Sequence, residues 1–298
     1  MNELITYSQC PSCYSYHITQ HLTASDHTVT HESFDVWHCN DCTLRFTQNI
    51  PQQSSIGRYY QSENYISHTD NKKGIVNRLY RFIRSFTVRS KRKIISSYTH
   101  LSKGNLLDVG AGTGVFAASM QKWGWNVTAL EPDEEVRKRA AAMHSIQVGD
   151  PSALFEMTEN HFDVITLWHV MEHVHSLHQY INQLKKILKP GGALFIAVPN
   201  YTSYDADNYK QFWAAYDVPR HLYHFSPVAM QKLMQLHGLK ITRILPMWFD
   251  SFYVSILSEK YKNGKINLVK GFWNGALSNA HSLMKKEKAS SLIYIISK

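Results

Sequence analysis

The sequence predicts an α/β protein: a parallel sheet with helices on both faces, behind a small four-cysteine module. Three observations carry that prediction. Residues 106–116 read as an apolar strand ending in an acid, a glycine-rich turn and a helix start. Strand-like and helix-like segments then alternate toward the C-terminus, the pattern of a parallel sheet covered on both faces. All four cysteines lie within the first 42 of 298 residues, as two C-x-x-C pairs.

The turn Asp108-Val109-Gly110-Ala111-Gly112-Thr113-Gly114 uses glycine for positive φ and for close approach of a ligand to the backbone. A second strand at 127–130 ends in Glu131, 17 residues after Gly114. An acid there is placed to meet ribose hydroxyls. A dinucleotide site asks for G-x-G-x-x-G/A, whereas the glycines here read G-x-G-x-G and the next position is Val115. Taken alone, the glycines also fit an ordinary strand–helix turn.

Cys10-Pro-Ser-Cys13 and Cys39-Asn-Asp-Cys42 are separated by 25 residues, room for a hairpin. Each C-x-x-C presents two thiolates on one knuckle, and two knuckles complete a tetrahedral zinc site. Two redox pairs or disulfides are the alternative; a cytoplasmic setting with no leftover cysteine speaks against them. His17, His21, His27, His31 and His38 are surplus to a filled shell and read as surface or core residues. A closed four-thiolate site is structural.

The hydrophobic content of 44% is that of a globular protein, but the net charge of +9 is unevenly spread. Residues 1–50 carry one Arg against five acids, and residues 51–104 carry eleven Lys/Arg against two. Residues 48–55 read as a linker. Ile75, Val76, Leu79, Phe82, Ile83 and Phe86 then recur at helical spacing, and nine Lys/Arg with no acid lie between Lys72 and Lys93. Such a helix is either a solvated face docked through its apolar stripe or a surface for an anionic partner. That partner would be a substrate phosphate, nucleic acid or an anionic membrane. No basic leader precedes an apolar core, and no apolar run reaches membrane-spanning length. The expected location is the cytoplasm.

After the glycine turn the pattern predicts a helix at 115–122, a strand at 126–130, a helix at 133–143 with acids in its first turn, and a third strand at 145–148. A fourth strand at 162–167, a helix at 177–188, a fifth strand at 193–198, a helix from Ser226-Pro227 to His237 and a sixth strand at 241–245 follow. Ligands of such sheets bind outside the carboxyl ends of the strands, where Asp108, Glu131, Asp150 and Trp168 all fall.

Three phrases occur in order: Leu107-Asp108-Val109-Gly110-Ala111-Gly112-Thr113-Gly114, Trp168-His169-Val170-Met171-Glu172-His173-Val174 and Leu188-Lys189-Pro190-Gly191-Gly192. Together they resemble the class I S-adenosylmethionine (SAM) methyltransferases, in particular the branch of quinone-biosynthesis O-methyltransferases. The resemblance covers about residues 104–245. It implies a Rossmann-like seven-stranded sheet whose last strand is antiparallel, a part for which residues 291–296 are suited. Residues 247–289 are then an insertion and a substrate lid. It further implies that Gly110, Gly112 and Gly114 face the methionine part of SAM, that Glu131 binds the ribose and that Asp150 lies near the adenine. Asp108 and Trp168 complete the expected cofactor-binding set. Asp150 is equally readable as a turn residue before Pro151. The knuckle module ahead of such a domain is similar to that of sugar C-methyltransferases acting on nucleotide-linked deoxysugars.

SAM carries its own electrophile, so the protein must align a nucleophile and, where needed, deprotonate it. Two clusters are candidates. His169, Glu172 and His173 share one face if the segment is helical, and can bind a divalent metal. In the resembled O-methyltransferases the matching segment is acidic and associated with metal-assisted deprotonation; here His169 replaces an acid. The plain alternative is that this segment shapes the SAM pocket. The second cluster, Trp213, Asp217, Arg220, His221 and His224, follows the fifth strand, where loops carry function. Arg220 can pair with a substrate carboxylate or phosphate, and His221 or His224 can act as base. The local alternative pairs Arg220 with Asp217 and leaves the histidines covering a helix start.

The expected organisation is therefore a zinc-ribbon module at 1–50, a linker and basic helix at 51–103 and a methyltransferase domain at 104–298. The expected function is methyl transfer from SAM to an oxygen, carbon or nitrogen of a small anionic metabolite, such as a nucleotide-linked sugar or another glycan or cofactor precursor. An RNA methyltransferase gripping RNA through the ribbon and basic helix, and a SAM-binding protein without turnover, are the alternatives.

Overall fold

The structure is a computed structural model that describes residues 4–61 and 75–298, with side chains from 86 onward in the second stretch. Tyr65, His68 and the stripe side chains from Ile75 to Ile83 lie outside the described residues.

Five short strands open the chain: β1 (Leu4–Ile5), β2 (Ile18–Ser25), β3 (Ser33–Cys39), β4 (Arg45–Thr47) and β5 (Ile50–Pro51). The β2–β3 hairpin fills the spacer between the cysteine pairs. Along β3 the two-residue period buries Phe34 and Val36, as a half-covered strand requires. The helix α1 (Ile75–Thr99) follows, and its Val88 and Ile95 join the core formed by Leu106, Phe116 and Phe195.

The alternation read from the sequence then unfolds as β6 (Asn105–Val109), α2 (Val115–Lys122), β7 (Asn126–Leu130), α3 (Glu134–His144), β8 (Phe162–Trp168), α4 (Leu177–Ile187) and β9 (Leu188–Pro199). Next come α5 (Tyr204–Tyr209), β10 (Tyr223–His224), α6 (Pro227–Leu236), β11 (Lys240–Pro246), α7 (Asp250–Asn263), α8 (Leu268–Met284) and β12 (Ser291–Ser297). The main sheet runs β11-β12-β9-β8-β6-β7. Strands β6 to β9 pair in parallel, while β12 is antiparallel to both β9 and β11. Strands β9 and β12 are buried almost throughout, because helices cover both faces.

The sheet has six strands, not the expected seven. Residues 145–148 do not form a third strand; Gly149 alone makes a parallel bridge to Leu130. Ser145 turns to φ 56° to close α3, and Ile146 is spent on a small cluster with Ala117 and Ala140. Too little extended backbone remains to pair.

Two features position the site. Strand β10, from the loop after β9, adds to β4, giving a second sheet of order β10-β4-β3-β2. The N-terminal module and the post-β9 loop thus share one sheet. Residues 247–289 form the pair α7 and α8, which cross closely: a Cβ on Gly271 would stand 2.7 Å from Ile256 Cα, and one on Gly275 2.8 Å from Phe252 Cα. Among the described residues no helix is long and apolar enough to cross a membrane.

Candidate active site

The glycine turn lies at the carboxyl end of β6. Gly110, Gly112 and Gly114 have φ of 70°, 53° and 75°, the left-handed region that glycine enters freely. Their reasons differ. A Cβ on Gly110 would meet Val170 at 2.4 Å and one on Gly114 would meet Ile146 at 2.3 Å, so both are held by packing. A Cβ on Gly112 meets nothing within 4 Å, so that position faces open space.

Glu131 reaches this space from the end of β7 and accepts the Gly112 N–H at 2.9 Å. Burial raises its carboxyl above the usual range. Asp108, 1% exposed, accepts from Thr166 Oγ1 at 2.7 Å, and burial pushes its carboxyl up to about 7. Trp168 closes the same edge, edge-on to Phe116 and with its Nε1 unpartnered. Asp150 lies at the rim, capping the 151–156 turn through Ser152 and pairing with Arg137 at 3.2 Å. Sequence reasoning missed Lys91 here: its ammonium lies 4.2 Å from the centre of the Trp168 ring, and burial lowers it to about 8. Arg92 similarly covers Trp123 at 4.3 Å. These two members of the basic run are docked on rings.

Beside this edge, which contributes His169, His173, Pro199 and Ser291, is a cleft of about 590 Å³ walled by three further parts of the chain. His27 and Thr28 come from the N-terminal module, Ala215, Asp217 and His221 from the post-β9 loop, and Tyr253, Leu257 and Lys260 from α7. His27 stacks on Tyr261 of α7 at 4.4 Å, joining two walls. The cations Lys260 and His169 face the carboxylates Asp217 and Asp250, so the lining carries no clear excess of either sign.

The His169–His173 segment is not the expected helix. Only residues 171–173 form a 3-10 turn, and His169 precedes it at φ 60°. Its ring therefore turns between two carboxylates, with Nδ1 3.3 Å from Glu172 and Nε2 3.0 Å from Asp250. Burial opposes a charge there, but the hydrogen bonds to Asp250 and Glu172 outweigh it and raise the imidazolium to about 10. His169 is thus spent on an ion-pair bridge, and His221 takes its place beside Glu172 and His173. Asp250 went unnoticed, although it is the first acid after Asp217 and opens a helix.

Arg220 does not face the cleft as a substrate ligand. It is 1% exposed, with Nε and Nη2 on Asp217, Nη2 also on Asp26 at 2.9 Å, and Nη1 on the Tyr59 carbonyl. A guanidinium with four such bonds inside the protein is a strut. His224 is also displaced from the expected catalytic role: it lies in β10 with its Nε2 3.2 Å from Thr47 Oγ1, and burial drives it well below the usual histidine range. Only His221 of the three expected catalytic residues lines the cleft, and its Nδ1 lies 2.8 Å from the Ala215 carbonyl. Trp213 is buried, its Nε1 donating to Asp205 at 2.8 Å.

The four cysteines converge, with Cys10 and Cys42 sulfurs 3.5 Å apart and Cys13 and Cys39 likewise, none in a disulfide. A family pattern described as a methyltransferase domain matches residues 79–244. The ubiquinone biosynthesis O-methyltransferase of Rickettsia prowazekii is 36% identical over 115 residues, which are 37% of this chain and 46% of that protein. That of Rickettsia typhi is 32% identical over 146 residues, 46% of this chain and 58% of its own. The chain spans about half the length of these curated relatives. A solved structure from Galdieria sulphuraria, provisionally named a sarcosine dimethylglycine methyltransferase, is similar in fold. It has a TM-score of 0.50 at 16% identity, over 72% of this chain and 87% of that one.

Proposed function

Because the chain belongs to the methyltransferase-domain family, we propose that it transfers the methyl group of SAM to a hydroxyl oxygen of a small acceptor held in the cleft. One observation carries the cofactor half: the open position at Gly112, bordered by the Glu131 carboxylate at 2.9 Å. SAM, when bound, supplies an electrophilic methyl group. Gly110 and Gly114 hold the turn, Gly112 lets the backbone approach SAM, Glu131 accepts its ribose hydroxyls, and Asp108 sets a carboxylate against its positive charge. Trp168 walls the site, and Asp150 stands at the rim where the adenine is expected.

The cleft walls then orient the acceptor and exclude water around the reacting pair. An oxygen acceptor is supported by the O-methyltransferase names of the curated relatives, and by His173 and His221, two imidazoles at one wall. This favours a hydroxylated cofactor precursor over a nucleotide-linked sugar. The balanced charges of the lining give no support to an anionic acceptor. Lys91 and Arg92, docked on Trp168 and Trp123, are withdrawn from any grip on RNA.

Zinc suits the four cysteines. Sulfur–sulfur distances of 3.5 Å are close to the about 3.8 Å that tetrahedral zinc–thiolate bonds impose. We read it as the staple of a module that lends His27 and Thr28 to the cleft. The test is native mass spectrometry followed by turnover with a panel of hydroxyarenes and nucleotide sugars. Retained or added SAM, with a hydroxyarene converted to its methyl ether and S-adenosylhomocysteine released, supports the reading. No SAM binding at all would sink it.

A further inference from the structure

The hairpin of α7 and α8 is built inside out. By the helical period, Val269, Phe272, Trp273, Leu283 and Met284 fall on one stripe of α8. All five are exposed, Val269 by 82% and Met284 by 89%. The opposite stripe is buried, and it is small and polar: Gly271, Asn274, Gly275, Ser278 and Ser282. Its polar groups have partners inside. Asn274 donates to the Tyr209 hydroxyl at 2.8 Å, and Ser278 donates to Asp205 at 2.7 Å. Helix α7 repeats the pattern. It buries Ser251, Ser255, Ser258 and Glu259, with Val254 as the apolar member, while Tyr253 and, at the helix start, Phe249 are exposed.

A helix that faces water does the reverse, turning its apolar stripe to the core. Exposed apolar residues scattered singly need no explanation, but a contiguous stripe marks an interaction surface. We propose that the exposed face of α8 docks on the surface of an anionic bilayer, with the hairpin lying flat along it.

Charge identifies the occupant. Residues 260–288 hold seven lysines and one acid, Glu287. Lys262 and Lys265 stand exposed before one end of α8, and Lys285 and Lys286 after the other. An apolar stripe that includes Trp273 and ends in lysines on both sides matches the boundary between acyl chains and negatively charged headgroups. A second copy of the chain laid on this face, in either direction, would set lysine against lysine. The close crossing at Gly271 and Gly275 has the small-residue spacing by which helices pack tightly in lipid. Among the described residues no helix is long and apolar enough to cross a membrane, so α8 rests in the interface instead of spanning it.

This inference goes beyond the proposed methyl transfer and does not depend on it, because binding is read without turnover. The full chain is pelleted with sucrose-loaded vesicles of phosphatidylglycerol and phosphatidylcholine in equal parts, and with vesicles of phosphatidylcholine alone. Binding to the mixed vesicles is expected, and it should weaken as salt screens the lysines. Val269→Ser combined with Trp273→Ser should lower it roughly tenfold or more, with SAM affinity kept. Lys285→Glu combined with Lys286→Glu should also lower it. If the stripe variant does not fold, brominated lipid should still quench the tryptophan fluorescence of the unaltered protein. Trp273→Phe, which keeps the stripe apolar, should then bind as before with less quenching. No pelleting with the mixed vesicles, binding that the folded stripe variant leaves intact, quenching that Trp273→Phe leaves unchanged, or a stable dimer in solution that the stripe variant separates would each overturn the proposal.

Discussion

Arg220 and Asp26 lie 194 positions apart and meet at 2.9 Å, with 1% and 0% of their side chains exposed. The pair ties the cysteine module to the loop that carries His221. Removing one partner strands a buried charge, so Arg220→Ala is expected to cost about 3–5 kcal/mol. A lower urea midpoint for this variant checks it; an unchanged midpoint would mean the pair is not the tie.

The proposed zinc staple would act through β10. Cys39→Ser should drop zinc below one per chain and speed amide exchange in 18–47. Through the shared sheet it should also speed exchange at Tyr223 and His224. SAM affinity, set by β6 and β7, should change little. Calorimetry with hydrogen exchange on the same sample decides this.

Glu131→Ala should weaken SAM binding roughly 10- to 100-fold, since hydrogen bonds to a charged group contribute about 1.5–3 kcal/mol. Gly112→Leu should weaken it further, because the new side chain enters the space that is empty within 4 Å of the built Cβ. Unchanged titration curves for both would refute the assigned site.

Asp108 sets a pH dependence. Burial raises its carboxyl to about 7, and SAM brings net positive charge that favours the carboxylate form. Affinity should be full above pH 7 and fall as the pH drops below it, toward tenfold per unit if no other group compensates. Calorimetry at several pH values, in buffers of different ionisation enthalpy, should show proton release on binding below pH 8. Asp108→Asn should abolish that release.

The His169–Asp250 contact, 3.0 Å, joins α7 to the end of β8. Asp250→Asn removes one of two carboxylates from the imidazolium and loosens one wall of the cleft. The acceptor KM should rise by more than kcat falls, with SAM affinity kept. Equal loss in both constants would place Asp250 closer to the chemistry than the wall.

What the sequence determined by itself was local or periodic. The glycine turn, the strand–helix alternation, the paired knuckles and the Ser226-Pro227 helix start each depend on residues close along the chain, so their chemistry can be read without knowing what surrounds them. The failures also have local causes. The 145–148 segment had the composition of a strand, but αL closure at Ser145 and the packing of Ile146 used up its backbone. His169, Glu172 and His173 had helical spacing, but the 3-10 turn begins only at Met171, and His169 before it turns to bridge Glu172 and Asp250 instead. Only the tertiary structure decided the site itself. It set Arg220 inside against Asp26, carried His224 away into a shared sheet, brought Asp250 to His169 and placed His221 beside Glu172. Each of these contacts joins segments far apart in the chain, and nothing in either segment alone encodes its partner. They exist because the parallel sheet delivers the ends of β6 to β9 to one edge, and the module, the loop and α7 bury their polar groups against that edge and each other.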